Sequence, residues 1–486
     1  MATGAELNPK RAGGKPKSGV DSRLWKLAVC AAVPVLILLF PAPAGLSTAA
    51  WKLFAAYMAA IVGLILRPFD EAVILLAAIG ISGVTLGNMG VLLSGYASTT
   101  AWLVFSAFMI SAAFISTGLG RRIAYMLLSR FGRTTLGLGY VAVVTDLIIS
   151  PATPSNTART GGMVYPIFQS AAVALDSHPG PTARRIGAYL TLVLYYTSFT
   201  TGYTFLTAMA PNALILSFAD NIFKVKVDWL LWAKAAIVPG LLTLLVIPWF
   251  VYKVYPPELK HIDNRGLSAK GLAELGPMSR REKTLAVLFV LAVLGWALGS
   301  FLKIDATAVA VAFVAGCLLT GVVTWETILS SKSAWSTLIW YGGIIGLAEA
   351  LSRAKFFDWL AKLIGSHAAL TSFPPLAIIA VLVFLSVVVR YVFASMAAYV
   401  ATMMPVLFTI ALVAHVPVLP VVFLIAFAAG YGGMLTHYGG ALSPVLFGTG
   451  YVDQKTWWKI GAAMAAVSFL INFLVGLPYW KLVGIW

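Results

Sequence analysis

Ser150-Pro151-Ala152-Thr153-Pro154-Ser155-Asn156-Thr157-Ala158-Arg159-Thr160-Gly161-Gly162 is the stretch on which the reading of this chain turns. Two prolines, three residues of N-cap type and a cation sit inside residues 135–175, which are otherwise largely apolar. Hydrocarbon offers no water to a broken helix, so irregular polar backbone at membrane depth is tolerated only around a cavity or a ligand. Backbone N–H groups freed at such a break, with the Ser155, Asn156 and Thr157 side chains beside them, make an anion site. The expectation from these residues is a transporter.

Composition agrees with that expectation. Hydrophobic residues make up 60% of the chain and charged residues only 10%, against about 25% charged in soluble proteins. Mean hydropathy is +0.91. Apolar runs of roughly 20 residues, enough to cross about 30 Å of hydrocarbon, recur along almost the whole sequence. The class is an all-α polytopic membrane protein. The net charge of +17 comes from Lys and Arg in loops between apolar runs, which fits positive-inside topology and not a nucleic-acid face. Cys30 and Cys317 both lie in apolar runs without partner spacing, so neither a metal centre nor a disulfide framework is implied, and no cofactor is expected.

Hydropathy divides the chain as follows. Residues 1–26, with Lys10, Arg11, Lys15, Lys17, Arg23 and Lys26, read as a disordered basic cytoplasmic tail. A first half, 27–252, holds spans near 27–45, 48–66, 71–93 and 99–118, then a basic amphipathic piece with Arg121, Arg122, Arg130 and Arg133. Residues 135–175 follow as a re-entrant hairpin, because the loops on both sides of them are basic. A long span, 186–223, is broken between Gly202 and Pro211, and a span at 230–252 closes the half. Residues 253–283 form a basic cytoplasmic linker. The second half, 284–486, holds spans near 284–302, 306–322 and 333–351, an amphipathic piece, a hairpin candidate at 374–413, a broken span at 418–450 and a last span at 458–480.

The halves resemble each other. Val227-Asp228, with Trp232 and Lys234 after it, recurs as Val452-Asp453 with Trp457 and Lys459 at the same offsets, and Ala101-Trp102 recurs as Ala334-Trp335. Five crossings per copy is an odd number, so the second copy is expected upside down, with one extra N-terminal helix. Inverted repeats with broken helices hold substrate near the bilayer midplane between the copies. The expected binding residues are Ser155, Asn156 and Thr157 at the first hairpin tip, Ser395, Met396 and Ala397 at the second, and Thr207 and Thr436 in the broken spans.

Charge decides what else is needed. A half-helix N-terminus carries about half a positive charge, so two tips offset about one unit, whereas a dicarboxylate brings two. Arg159, one turn beyond Ser155, and His437, in the Gly-rich break Thr436-His437-Tyr438-Gly439-Gly440, are the candidate cations. Sodium held by carbonyls of the broken spans is the other solution, near Ser155, Asn156, Ala210 and Asn212. Asp146 and Arg390, one in each hairpin arm, are ionisable groups at membrane depth and are expected to pair with each other or with Arg159 for structure.

Ser150 to Arg159, together with Leu435-Thr436-His437-Tyr438-Gly439 and Phe447-Gly448-Thr449-Gly450-Tyr451-Val452, resembles the signatures of the divalent-anion:sodium symporter superfamily, in its citrate/succinate and 2-oxoglutarate/malate exchanger branch. The resemblance implies an elevator-type carrier, a homodimer of the bacterial inner membrane with a cytoplasmic N-terminus. Sodium-coupled members carry Ser-Asn-Thr at both tips. Here Ser395-Met396-Ala397 replaces the second triplet and His437 with glycines replaces the second Pro-rich break, while Ala210-Pro211-Asn212 is kept at the first. Those departures imply sodium-independent exchange of di- or tricarboxylates (succinate, malate, 2-oxoglutarate, citrate), with sodium symport as the alternative. An enzyme is excluded because no nucleophile–base pair or metal-ligand grouping occurs in any span. An anion channel shares the cavity chemistry but not the paired hairpins.

Overall fold

The computed structural model describes residues 19–262, 265–367 and 373–486. Nine helices among them are long and apolar enough to cross a membrane, from Thr48–Leu66 to Gln454–Leu482, and Glu71–Leu86 and Ala306–Leu319 are shorter apolar helices. Large apolar side chains stand exposed on their outer faces, such as Val84 at 89% and Leu319 at 88%. Exposure on that scale is stable only against lipid. The chain is a multi-pass membrane protein.

The order of elements repeats. Thr48–Leu66, Glu71–Leu86, Thr99–Thr117, the amphipathic Leu119–Phe131, a hairpin, a broken helix and Trp229–Val254 are followed by the same series from Arg280–Leu302 to Gln454–Ile471. The two sequence repeats do identifiable work. Asp228 and Asp453 are N-caps, accepting the amides of Leu231 at 2.7 Å and Thr456 at 3.0 Å, so each copy starts its last long helix with a satisfied end. Phe105 packs on Trp335 at 4.9 Å and on Trp102 at 5.5 Å, drawing the two Ala-Trp segments together.

Several expectations shift at their edges. The first helix starts at Gly19, inside the stretch assigned to the tail, and residues 1–18 lie outside the described part. The expected span 71–93 ends at Leu86, because Asn88 adopts a left-handed conformation (φ 56°) and starts the short helix Met89–Leu92. The linker contains its own helix, Arg265–Leu275. Arg122 ties the linker down: it pairs with Glu282 at 2.6 Å and donates to the Gly276 carbonyl at 2.9 Å.

Helix Lys332–Arg353 runs through the interior on glycines. A Cβ on Gly346 would strike the Leu92 carbonyl oxygen, and one on Gly95 would strike that of Gly342. Small residues let helices in lipid approach to backbone contact. Gly346→Ala is therefore expected to destabilise the protein by about 1–3 kcal/mol, the range for overpacking. Gly80→Ala, where nothing lies within 4 Å, should be neutral or slightly stabilising. Thermal midpoints of the purified variants in detergent check the pair.

Candidate functional site

Each hairpin folds where its helix is made to stop. Thr135–Ile149 ends in the tight turn Ser150–Ala152, Thr153 is extended, and a wide π-helical turn, Thr157–Val164, carries the chain back. Pro151 and Pro154 prevent a continuous helix, and Gly161-Gly162 sit inside the wide turn. The second hairpin repeats this shape with Pro375–Val389, the turn Arg390–Val392, extended Phe393 and Ser395, and Met396–Val413. Both tips are capped alike: Ser155 Oγ accepts the Ala158 amide and Ser395 Oγ the Ala398 amide, each at 3.2 Å.

Each tip lies against the break of the broken helix in its own half. Gly187–Thr204 stops at extended Phe205, and the helix resumes at Ala210–Phe223 after the turn Leu206–Ala208. Here the Ala210 amide donates to the Pro154 carbonyl at 3.1 Å, and a Cβ on Gly202 would lie 3.3 Å from the Asn156 amide group. In the second half Val418–Tyr431 gives way to the turn Gly432–Leu435 and only a short helix, Ser443–Phe447. Tyr438 reaches the second tip, donating to the Tyr391 carbonyl at 3.1 Å. Tyr195, from the first broken helix, contacts the Gly433 and Thr436 carbonyls and Ser443 Oγ at 2.8–2.9 Å. One phenol thus ties the body of the first broken helix to the second break.

Arg159 is completely buried. Its Nε faces Asp146 at 3.1 Å, and Nη1 donates to the Thr153 carbonyl at 2.8 Å and the Ala208 carbonyl at 3.1 Å. Nη2 donates to the Ser198 carbonyl at 3.1 Å and Thr201 Oγ1 at 3.0 Å. Asp146 also accepts from Thr160 and Thr201 at 2.7 and 2.6 Å. Every guanidinium hydrogen is used, and the charge is cancelled. The expectation that Arg159 faces the guest as a fixed cation gives way to a buried pair bracing tip and break, and Asp146 pairs with Arg159, not with Arg390.

His437 needs the same correction. Trp458 Nε1, which can only donate, points at His437 Nδ1 from 2.9 Å. That nitrogen is therefore engaged by the indole and is not turned toward a guest. Arg390 instead carries the net charge. It is 1% exposed and has no acid partner among the described residues. Nη1 donates to the Phe393 carbonyl at 3.3 Å, Nη2 to that of Gly439, and the guanidinium lies 5.0 Å above the Tyr399 ring. Its Nε has no partner. The sequence had shown an Arg at membrane depth, but not that the acid in the other hairpin was already taken.

The predicted binding residues fall around these tips. Ser155, Asn156 and Thr157 are half-buried. Asn156 Oδ1 accepts from Arg159 Nη2 at 3.3 Å. Ser395 and Ala397 are buried and Met396 is half-buried. Thr207 and Thr436 are buried with hydroxyls that meet no partner, as are Thr153 Oγ1 and Asn212 Oδ1. Buried polar atoms in that state call for a ligand or water, and these four lie at the first tip and the two breaks. Among the described residues no group of His, Cys, Asp and Glu suits a transition metal. A cavity of about 920 Å³ reaches the first break through Leu206 and Ala213. Its acids Asp220, Asp228, Asp305 and Glu349 outnumber Lys226, Lys303 and Arg353, a poor lining for a dianion.

Capped tips, broken helices and interior cations packed into a lipid-facing helical body define a membrane transporter. The chain matches the family described as "Sodium:sulfate symporter transmembrane region" over residues 21–486 and belongs to it. It is 49% identical to the inner membrane protein YbhI of Escherichia coli (strain K12), over 95% of this chain and 98% of that one. The citrate/succinate antiporter of the same organism is 35% identical over 95% and 98%. The Alcanivorax borkumensis YdaH transporter resembles the fold alone, with a TM-score of 0.54 at 12% identity over 96% and 98% of the chains. Family and relatives are transporters, not enzymes.

Removing one partner of a buried pair costs about 3–5 kcal/mol because the other charge is stranded. Asp146→Asn is expected to lower the thermal midpoint in detergent sharply, and Asp146→Asn with Arg159→Met to recover part of the loss. Equal loss in both would show that the charge pair is not what holds tip to break.

Proposed function

We propose that this protein exchanges di- and tricarboxylates of the succinate, malate, 2-oxoglutarate and citrate class across a bacterial inner membrane, without sodium. It works as a homodimer in which an inverted repeat carries the hairpins and broken helices through an elevator movement, with the N-terminus in the cytoplasm. One observation carries the sodium-independent part. In each half a guanidinium donates to one carbonyl of the tip and one of the break: Thr153 and Ala208 for Arg159, Phe393 and Gly439 for Arg390. A sodium ion bridging tip and break would compete with the guanidinium groups for those oxygens.

The charge count then closes. The two tips offset about one unit, Arg159 is cancelled by Asp146, and Arg390 adds one, which matches a dianion. Ser155, Asn156 and Thr157 would hold one carboxylate and the backbone around Ser395, Met396 and Ala397 the other, with Thr207 and Thr436 beside them. An empty carrier keeps Arg390 unbalanced in a low-dielectric interior, which disfavours its return. The printed activity of the citrate/succinate antiporter agrees with exchange. Sodium-coupled symport has one observation in its favour, the buried Asn212 Oδ1 without a donor. Against it, Asn212 Nδ2 already donates to the Gly202 and Phe205 carbonyls at 2.8 and 3.1 Å.

In proteoliposomes, uptake of labelled succinate is expected to need internal di- or tricarboxylate and to be unchanged when sodium is replaced by choline. Net uptake that requires sodium rejects the exchange assignment, and conductance without saturation would indicate a channel. Arg390→Gln should raise the KM for succinate at least about tenfold, equivalent to 1.4 kcal/mol, with Arg390→Lys in between. An unchanged KM in both removes Arg390 from the charge count.

A further inference from the structure

The two tips share one cap geometry, yet their hydroxyl protons go to different places. Ser155 Oγ accepts the Ala158 amide, and no acceptor for its own proton is seen among the described residues. Ser395 Oγ accepts the Ala398 amide in the same way and donates to Glu71 Oε1 at 3.3 Å. The second tip is therefore holding a carboxylate, and that carboxylate belongs to the protein.

We infer that Glu71 is an internal substitute for a substrate carboxylate, seated on Ser395 when no guest is bound, and that it sets how strictly transport is coupled to exchange. Glu71 comes from outside the hairpin, as the first residue of helix Glu71–Leu86. Arg67 Nη2 holds the same oxygen at 2.6 Å. On the preceding helix, Tyr57 donates to the Ala401 carbonyl in the second hairpin arm at 2.5 Å. The second hairpin is thus tied at its tip and along its arm to the helix pair Thr48–Leu66 and Glu71–Leu86.

A guest carboxylate at Ser395 and the Glu71 carboxylate repel each other, so the two compete for one hydroxyl. Displacement costs little on the Glu71 side. Its pair with Arg67 is open to water, with side chains 50% and 22% exposed, so Glu71 leaves with its counter-ion and no charge is stranded. Loading the site then releases the tip from the helix pair, whereas an empty site keeps it tied. This deepens the exchange reading above and rests on it: a carrier latched by its own carboxylate moves only with cargo.

The experiment compares wild type, Glu71→Ala and the double variant Arg67→Gln with Glu71→Gln in proteoliposomes, using labelled succinate. The double variant removes both charges, so a freed Arg67 cannot mimic the effect. Both variants should keep succinate counterflow, take up succinate into vesicles lacking internal substrate at least about fivefold faster than wild type, and show a lower KM, in proportion to a lost charge-assisted hydrogen bond. Counterflow with wild-type net uptake and KM overturns the latch and leaves the exchange reading standing. A rise in Glu71→Ala alone assigns the effect to Arg67 and overturns it too. Loss of counterflow in both variants despite monodisperse protein also overturns it, since the latch has no part in holding the guest. Absence of counterflow in wild type defeats the exchange reading itself, and the latch with it.

Discussion

Breaking a helix inside hydrocarbon leaves carbonyls and amides that water cannot reach, and this structure is arranged around satisfying them. The carbonyls at the tips and breaks are met by two guanidinium groups, an Asn amide and a Tyr hydroxyl. Arg suits the task because its planar fork can address two oxygens from different segments with one rigid group. Bracing tip to break in this way fixes the hairpin ends in position against the broken helices.

Much of this was legible in the sequence because it follows from what hydrocarbon forbids. Pro151, Pro154 and the polar triplet could only be a hairpin tip or a site, and the break between Gly202 and Pro211 could only be tolerated beside it. The Asp-Trp-Lys repeat located corresponding helix starts, and both aspartates are indeed caps. Membership of the family was also readable from the motifs, which lie in the segments where backbone chemistry is least free to vary.

What was not legible is who pairs with whom. Arg159 and Arg390 are both cations in apolar sequence, and Asp146 could have met either. The outcome depends on which side of the tip each one leaves: Arg159 follows Ser155 by a turn and faces back along the Asp146 arm, while Arg390 precedes Ser395 and ends its own helix. His437 was read as a cation from its glycine neighbours, but a tryptophan two helical elements later engages its Nδ1. Glu71 gave no signal, since an acid at the start of a helix is an ordinary N-terminal residue.

The two halves therefore use one geometry and differ in charge. In the first, cation and anion cancel, and the tip's hydroxyl and amide donors remain open to the guest. In the second, the cation is unbalanced, the triplet is reduced to one hydroxyl, and that hydroxyl is engaged from outside. A perfectly repeated site would carry two compensated cations and leave a dianion under-neutralised, or two free ones and make the empty interior prohibitively charged. For the exchange proposed above, one of each brings the loaded state close to neutral while the empty state stays disfavoured but foldable. Arg390 persists without an acid among the described residues because its donors meet the Phe393 and Gly439 carbonyls and the Tyr399 ring covers its face.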